Sequence, residues 1–121
     1  IRTAKGVGTG RSKSNAASYD GDKAIFAFGW TGSNTAVSNL VSNSGVVATD
    51  VSGVGTTRSG LGAASYGGDK AIFAYGYTAG AGNGMGSMSN LVNNSGVIAS
   101  DVSGVGTARA GIAAAGYSTS A

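Results

Sequence analysis

The chain has no cysteine, no proline, no histidine and no glutamate among its 121 residues. Each absence excludes a class of chemistry. Without cysteine or histidine there is no zinc site of the usual kind, no disulfide framework, no thiol nucleophile and no Ser-His-Asp triad. Asp20-Gly21-Asp22 suggests a calcium loop, but such loops close on a glutamate and need more oxygen ligands than this chain gathers. Charge is sparse as well: 11% of residues are charged, with eight Lys and Arg against five Asp, for a net charge of +3. The basic residues form no run or stripe, so nucleic acid is not an expected partner. No apolar run approaches the roughly 18 residues of a membrane span, and no membrane partner is expected. General acid–base work would fall to aspartates alone. The expectation is a protein that is not an enzyme and carries no cofactor and no metal.

What is present suits a packed β protein. Hydrophobic residues make up 41% of the chain and mean hydropathy is +0.10, enough for a core. The polarity comes mainly from Ser, Thr and Asn, which favour turns and exposed strands over helix interiors. Glycine, at 23 residues, marks frequent turns. The chain begins at Ile1 rather than methionine, which reads as a processed chain or a piece of a longer one.

Internal repetition dominates the sequence. The segment from Gly6, GVGTGRSKSNAASYDGDKAIFAFGW, recurs from Gly53 as GVGTTRSGLGAASYGGDKAIFAYGY and restarts from Gly104 as GVGTARAGIAAAGYSTSA. A second half repeats as SNLVSNSGVVATDVS from Ser38 and SNLVNNSGVIASDVS from Ser89. The two spacings are 47 and 51 residues. The difference falls between the halves, where Thr31–Val37 corresponds to the longer glycine-rich Thr78–Met88. A segment that tolerates insertion is a surface loop, and the place where copies of a scaffold differ in what they bind. The array occupies 1–121, with units at 6–52 and 53–103 and the first strand of a further unit at 104–121.

Turn chemistry divides each unit into four short candidate strands, in the second copy Leu61–Tyr66, Lys70–Tyr77, Met88–Asn93 and Val97–Val102. Gly67-Gly68-Asp69 and Asn94-Ser95-Gly96 supply the positive φ of tight turns. Alternation along the second strand puts Phe26, Phe28 and Trp30, or Phe73, Tyr75 and Tyr77, on one face, with Ile72, Ala74 and Gly76 on the other. Apolar residues on both faces require cover on both faces, which places Phe26, Phe73 and Ile72 between neighbouring sheets. A repeated four-stranded antiparallel sheet of this length describes a propeller blade; a β-solenoid or a sandwich is the alternative. Two units and a strand cannot close a ring.

Thr107-Ala108-Arg109, the strands GIAAAGY, DKAIFAYGY and SNLVNN, the turn NSG and the strand VIASDVSG follow in the order of a kelch repeat, and the chain resembles that family over nearly its whole length. The family's double glycine is here Phe28-Gly29-Trp30 and Tyr75-Gly76-Tyr77, and its fourth-strand tryptophan is Val46 or Val97. The resemblance implies an all-β chain of kelch-like β-propeller blades, an incomplete ring in one chain. The wording of the unit is also similar to repeats in tailed-phage fibres and related viral proteins, which implies an extracellular or virion-surface location.

The repeated Gly-Val-Gly at Gly6, Gly53 and Gly104 leads into a strand rather than a helix, so it reads as a turn between units and not as a phosphate loop. Arg11, Arg58 and Arg109 recur at one position and Asp50 and Asp101 at another; five guanidinium donors can clamp carbonyls or an aspartate of a neighbouring blade. These are structural positions. Trp30, Asn34, Tyr77, Asn83 and Met85 lie in or beside the divergent loop, where aromatic rings with polar rims suit a glycan. The functional expectation is a non-enzymatic structural and recognition module that contacts a glycan or protein receptor. The alternative is an assembly or fibre subunit with no ligand. Either way the missing blades come from further copies, as a homo-oligomer or as part of a longer chain.

Overall fold

The computed structural model describes residues 7–78 and 84–117. Strands form where Ala, Ile, Phe, Val and Ser alternate, and stop where glycine and aspartate take positive φ. β1 (Asn15–Tyr19), β2 (Lys23–Trp30) and β3 (Asn34–Val41) make one antiparallel sheet in the order β1-β2-β3. β4 (Gly62–Tyr66), β5 (Lys70–Ala74) and β6 (Ser89–Val92) repeat it as β4-β5-β6. The registers match, with Tyr19 opposite Lys23 and Tyr66 opposite Lys70. The hairpins turn through Asp20 and Gly21 at φ 52° and 76°, and through Gly67 and Gly68 at 65° and 85°. The described residues are all-β.

The expected fourth strand is not a regular one. In each unit it is a segment held to the third strand by two isolated bridges, Val41–Val47 and Ser38–Val51 in the first and Val92–Ile98 and Ser89–Val102 in the second. Between the two bridges, two residues of the inner strand face three of the outer, so the segment carries one surplus residue and the ladder breaks around it, as in a β-bulge. The second strand of unit two also ends early, at Ala74, and Tyr77 joins only through bridges to Ser59 and Met85.

Phe28 corrects the alternation. The register of β2 on β3 shifts between Ala27 and Gly29, Phe28 takes φ 63°, and Tyr75 repeats this at 66°. A bulky residue at positive φ is an outlier that the surroundings must hold. The shift turns Phe28 away from the side of Phe26 and into the other unit, where its ring centroid lies 5.5 Å from that of Phe73.

Each unit therefore has a front, bearing Phe26 or Phe73, and a back, bearing Ile25 or Ile72, and the back of unit one packs on the front of unit two. β1 packs against β4 and β5. At this junction Ile25 and Phe73 are both fully buried. On the two outward faces the same positions are open: Phe26 is 41% exposed and Ile72 half-buried. The expectation that Phe26 is locked between sheets fails, since among the described residues no sheet packs on that side; Ile72 is covered only in part, by the third-copy segment 105–117 and not by a sheet, and for Phe73 the expectation holds.

Candidate functional site

Two arrangements recur with the repeat. The first is a polar cage around the arginine. Arg58, fully buried, donates through Nε to the Thr56 carbonyl at 3.0 Å and through Nη1 to the carbonyls of Tyr75 and Met88, both at 3.1 Å. Its Nη2 donates to Asn90 Oδ1. Asn90 in turn donates to the Ala99 carbonyl at 3.1 Å and to Asp101 Oδ1 at 2.9 Å, and the Thr56 hydroxyl and N–H close the ring on Asp101. Arg11, Asn39, Asp50 and Thr9 repeat the cage in unit one. The repeated glycine turn fits against it: at Gly55, φ 85°, a Cβ would stand 2.6 Å from Asp101 Oδ1.

All of these hydrogen bonds stay within one unit, so the expected clamp on a neighbouring blade is corrected. What crosses is the guanidinium face, whose Cζ lies 4.7 Å from the ring centroid of Phe28 in unit one. Arg109 repeats this on Tyr75 at 4.3 Å. Backbone bonds accompany the stacking, from Gly29 N–H to the Arg58 carbonyl at 2.9 Å and from Gly76 N–H to the Arg109 carbonyl at 2.7 Å. Burial pulls the Arg58 pKa below its ordinary value, with Asp101 opposing. Asp101 is held below the usual carboxylate range first by the Thr56 hydroxyl and then by Asn90, against its own desolvation. Asn39 and Asn90 were not singled out by sequence reasoning. Their signal was an asparagine recurring in Ser-Asn-Leu-Val at the same place in both copies.

The second arrangement gathers the expected contact residues along one edge of the stack, across both units. Trp30 pairs with Asn34 across β2 and β3, Asn34 Nδ2 donates to the Tyr77 carbonyl at 3.2 Å, and Tyr77 bridges to Met85. Trp30, Asn34, Tyr77 and Met85 thus form a continuous group; Asn83 lies outside the described residues. Both rings are half-buried and Met85 is exposed. The Lys13 ammonium lies 5.9 Å from the Trp30 ring centroid, within cation–π range.

Beside this group runs an open groove of about 400 Å³, lined among others by Lys13, Asn15, Leu61, Tyr77 and Ile112. Its floor is one position taken from three copies: Gly60 N–H donates to the Lys13 carbonyl at 3.0 Å, and Gly111 N–H to the Gly60 carbonyl at 2.8 Å. All three take positive φ, from 55° to 66°. A Cβ at Gly60 would stand 3.2 Å from the Tyr77 ring, so glycine lets the ring lie over the floor.

Among the described residues no cluster of three or more acidic side chains could hold a metal ion. Asp20 and Asp22 are instead engaged by Lys23 at 2.9 and 3.2 Å. No helix among them is long and apolar enough to cross a membrane. No protein-family model matches the chain, and a search of curated proteins returns no match.

Proposed function

We propose that the chain is a non-enzymatic structural and recognition module, a stacked array of kelch-like propeller blades that offers one edge to a glycan or protein receptor at a virion or cell surface. One observation carries the recognition reading. Trp30, Asn34, Tyr77 and Met85, separate in sequence, are gathered beside a groove with the Lys13 ammonium, the Asn15 amide and apolar side chains on its walls. Flat rings flanked by amides suit sugar faces and their hydroxyl rims. Repetition of such a site in further copies would give avidity. The propeller reading is supported by units that follow one another in the same orientation, front on back. The third-copy segment continues this without forming a strand, with Ile112 Cγ1 at 3.1 Å from where a Gly62 Cβ would stand.

The test is a glycan array probed with the intact chain, followed by Trp30 fluorescence against each bound sugar. Binding that is lost in Trp30→Ala, with the fold retained, supports recognition. A silent array and unchanged fluorescence favour the second reading, an assembly or fibre subunit with no ligand. That reading draws its support from the recurrence of the Arg58–Phe28 contact as Arg109–Tyr75.

A further inference from the structure

We propose that a second copy of this chain docks head-to-tail on the first, its Asn43-Ser44-Gly45 turn entering a socket between Tyr66 and Leu91. The inference rests on the reading of the chain as an array module and names its partner. Within the chain the equivalent contact already exists. The turn Asn94-Ser95-Gly96 of unit two seats on Tyr19 and Leu40 of unit one, so closely that a Cβ at Gly96 would stand 2.8 Å from Leu40 Cδ2 and 3.0 Å from Tyr19 Cζ. Tyr19 is only 4% exposed beneath it.

Unit two repeats that socket, and among the described residues nothing seats in it. It is a cavity of about 220 Å³ lined by Tyr66, Lys70, Leu91, Val97 and neighbours, with Tyr66 39% and Leu91 37% exposed. Unit one repeats the turn at the opposite end of the array. Gly45 has the φ of Gly96, 81°, but nothing lies within 4 Å of a Cβ built there. A turn without a socket and a socket without a turn stand on the two outward faces. The rest of those faces matches in the same way. Phe26 and the guanidinium of Arg11 occupy the front positions that Phe73 and Arg58 hold at the internal junction, and Ile72, Tyr75 and Leu91 the back positions of Ile25, Phe28 and Leu40.

On the back, Tyr75 is engaged by Arg109 of its own chain. The arriving copy brings segment 7–19, the equivalent of 105–117, so docking exchanges one for the other. The exchange replaces like with like. The bonds that tie the resident segment down include Gly111 N–H to the Gly60 carbonyl, Gly76 N–H to the Arg109 carbonyl and Tyr75 hydroxyl to the Val105 carbonyl, for which Lys13, Arg11 and Val7 offer the same backbone groups. Residues 113–117 join neither sheet ladder. Because front and back are different surfaces, the contact is heterologous and extends beyond a dimer unless a ring closes.

Sedimentation of the intact chain over a wide concentration range tests this. The expected result is an average mass that rises past the dimer. Phe26→Asp, which blocks the front, and Leu91→Asp, which blocks the back, are each monomeric alone, while their equimolar mixture stops at a one-to-one dimer. Gly45→Asn places a side chain in open space in the free chain, at a φ that asparagine tolerates. It weakens association as well, and serves if either charged variant fails to fold. A wild-type chain that is monomeric throughout, a mixture that stays monomeric, or a single charged variant that still assembles overturns the proposal. Calorimetry on the same samples separates this from the array reading. One cooperative unfolding transition for both units keeps that reading even if docking fails, and two independent transitions remove it.

Discussion

The Arg58 guanidinium lies flat against Phe28, 4.7 Å from the ring centroid, and the two residues belong to different repeats. Phe28 reaches that position only because the strand bulges and its φ turns positive. The ring then closes the fifth side of a cage whose other sides are carbonyls and an amide of unit two. A cation stacked on a ring and shielded from water attracts it more strongly than an exposed pair. The junction thus couples a strained backbone in one unit to a buried charge in the next.

Arg58→Lys is expected to destabilise the chain by about 3 kcal/mol, because a single ammonium cannot serve Asn90 Oδ1 and two carbonyls and leaves buried acceptors unpaired. Arg11→Lys, in the same cage but half-buried and without a ring over it, should cost less, about 1 to 2 kcal/mol, since fewer of its acceptors are cut off from water. Urea unfolding of the two variants compares them. Equal losses would show that Phe28 contributes nothing to the cage.

Phe73→Ala is expected to cost about 3 to 5 kcal/mol as a fully buried aromatic truncation. Phe26→Ala, the same change at the equivalent position, should cost under about 1 kcal/mol, since it empties no core. Midpoints of thermal unfolding check the pair. The contrast is lost if Phe26 becomes covered by another copy, so the comparison belongs at low protein concentration.

Gly76→Ala carries two costs. At φ 105° an alanine is strained, and its Cβ would meet the Ser59 carbonyl oxygen at 2.9 Å. We expect a loss of about 2 to 4 kcal/mol, combining strain with overpacking against backbone. Unchanged stability would mean that the bulge is not held as described.

The repeat, its turns and the β character of the chain were legible because each is local: glycine at fixed offsets and alternation over a few residues. The bulge was misread because strict alternation was carried through Phe28. The warning was there, since a glycine within a strand often marks a bulge, and Phe-Gly and Tyr-Gly occupy the same place in both copies. The fourth strand failed for a similar reason, one surplus residue that pattern counting does not register. Burial of Phe26 and Ile72 could not be read from the sequence at all. Their environment depends on which faces have a neighbour, a property of the stack and not of the strand.

Acid should loosen the cages. Asp101 and Asp50 have folded pKa values below the ordinary carboxylate value, held there first by the hydroxyls of Thr56 and Thr9 and then by Asn90 and Asn39. A depressed folded pKa contributes stability that is fully present above the unfolded pKa and is lost as pH falls through the folded one. The melting temperature should therefore be flat from neutral pH to about 5 and decline below about 4, the unfolded aspartate range. Asp101→Asn should flatten that decline. Both groups are largely exposed, so added salt should reduce the effect of their charges. A decline that begins near pH 6 would point to a different titrating group.

Trp30 is the sole tryptophan, half-buried and with the Lys13 ammonium 5.9 Å from its ring centroid, so it reports directly on the proposed contact group. Its emission should lie between that of a buried and a free indole, and acrylamide should quench it in part. Lys13→Ala should shift the emission while costing under about 1 kcal/mol, because an exposed cation–π pair is weak. A sugar that occupies the groove along Lys13 and Tyr77 should then protect Trp30 from acrylamide in the wild type, and less so in Lys13→Ala. If acrylamide does not reach the ring, and neither the lysine nor any sugar changes its emission, Trp30 is a packing residue and the contact role assigned to this group is wrong.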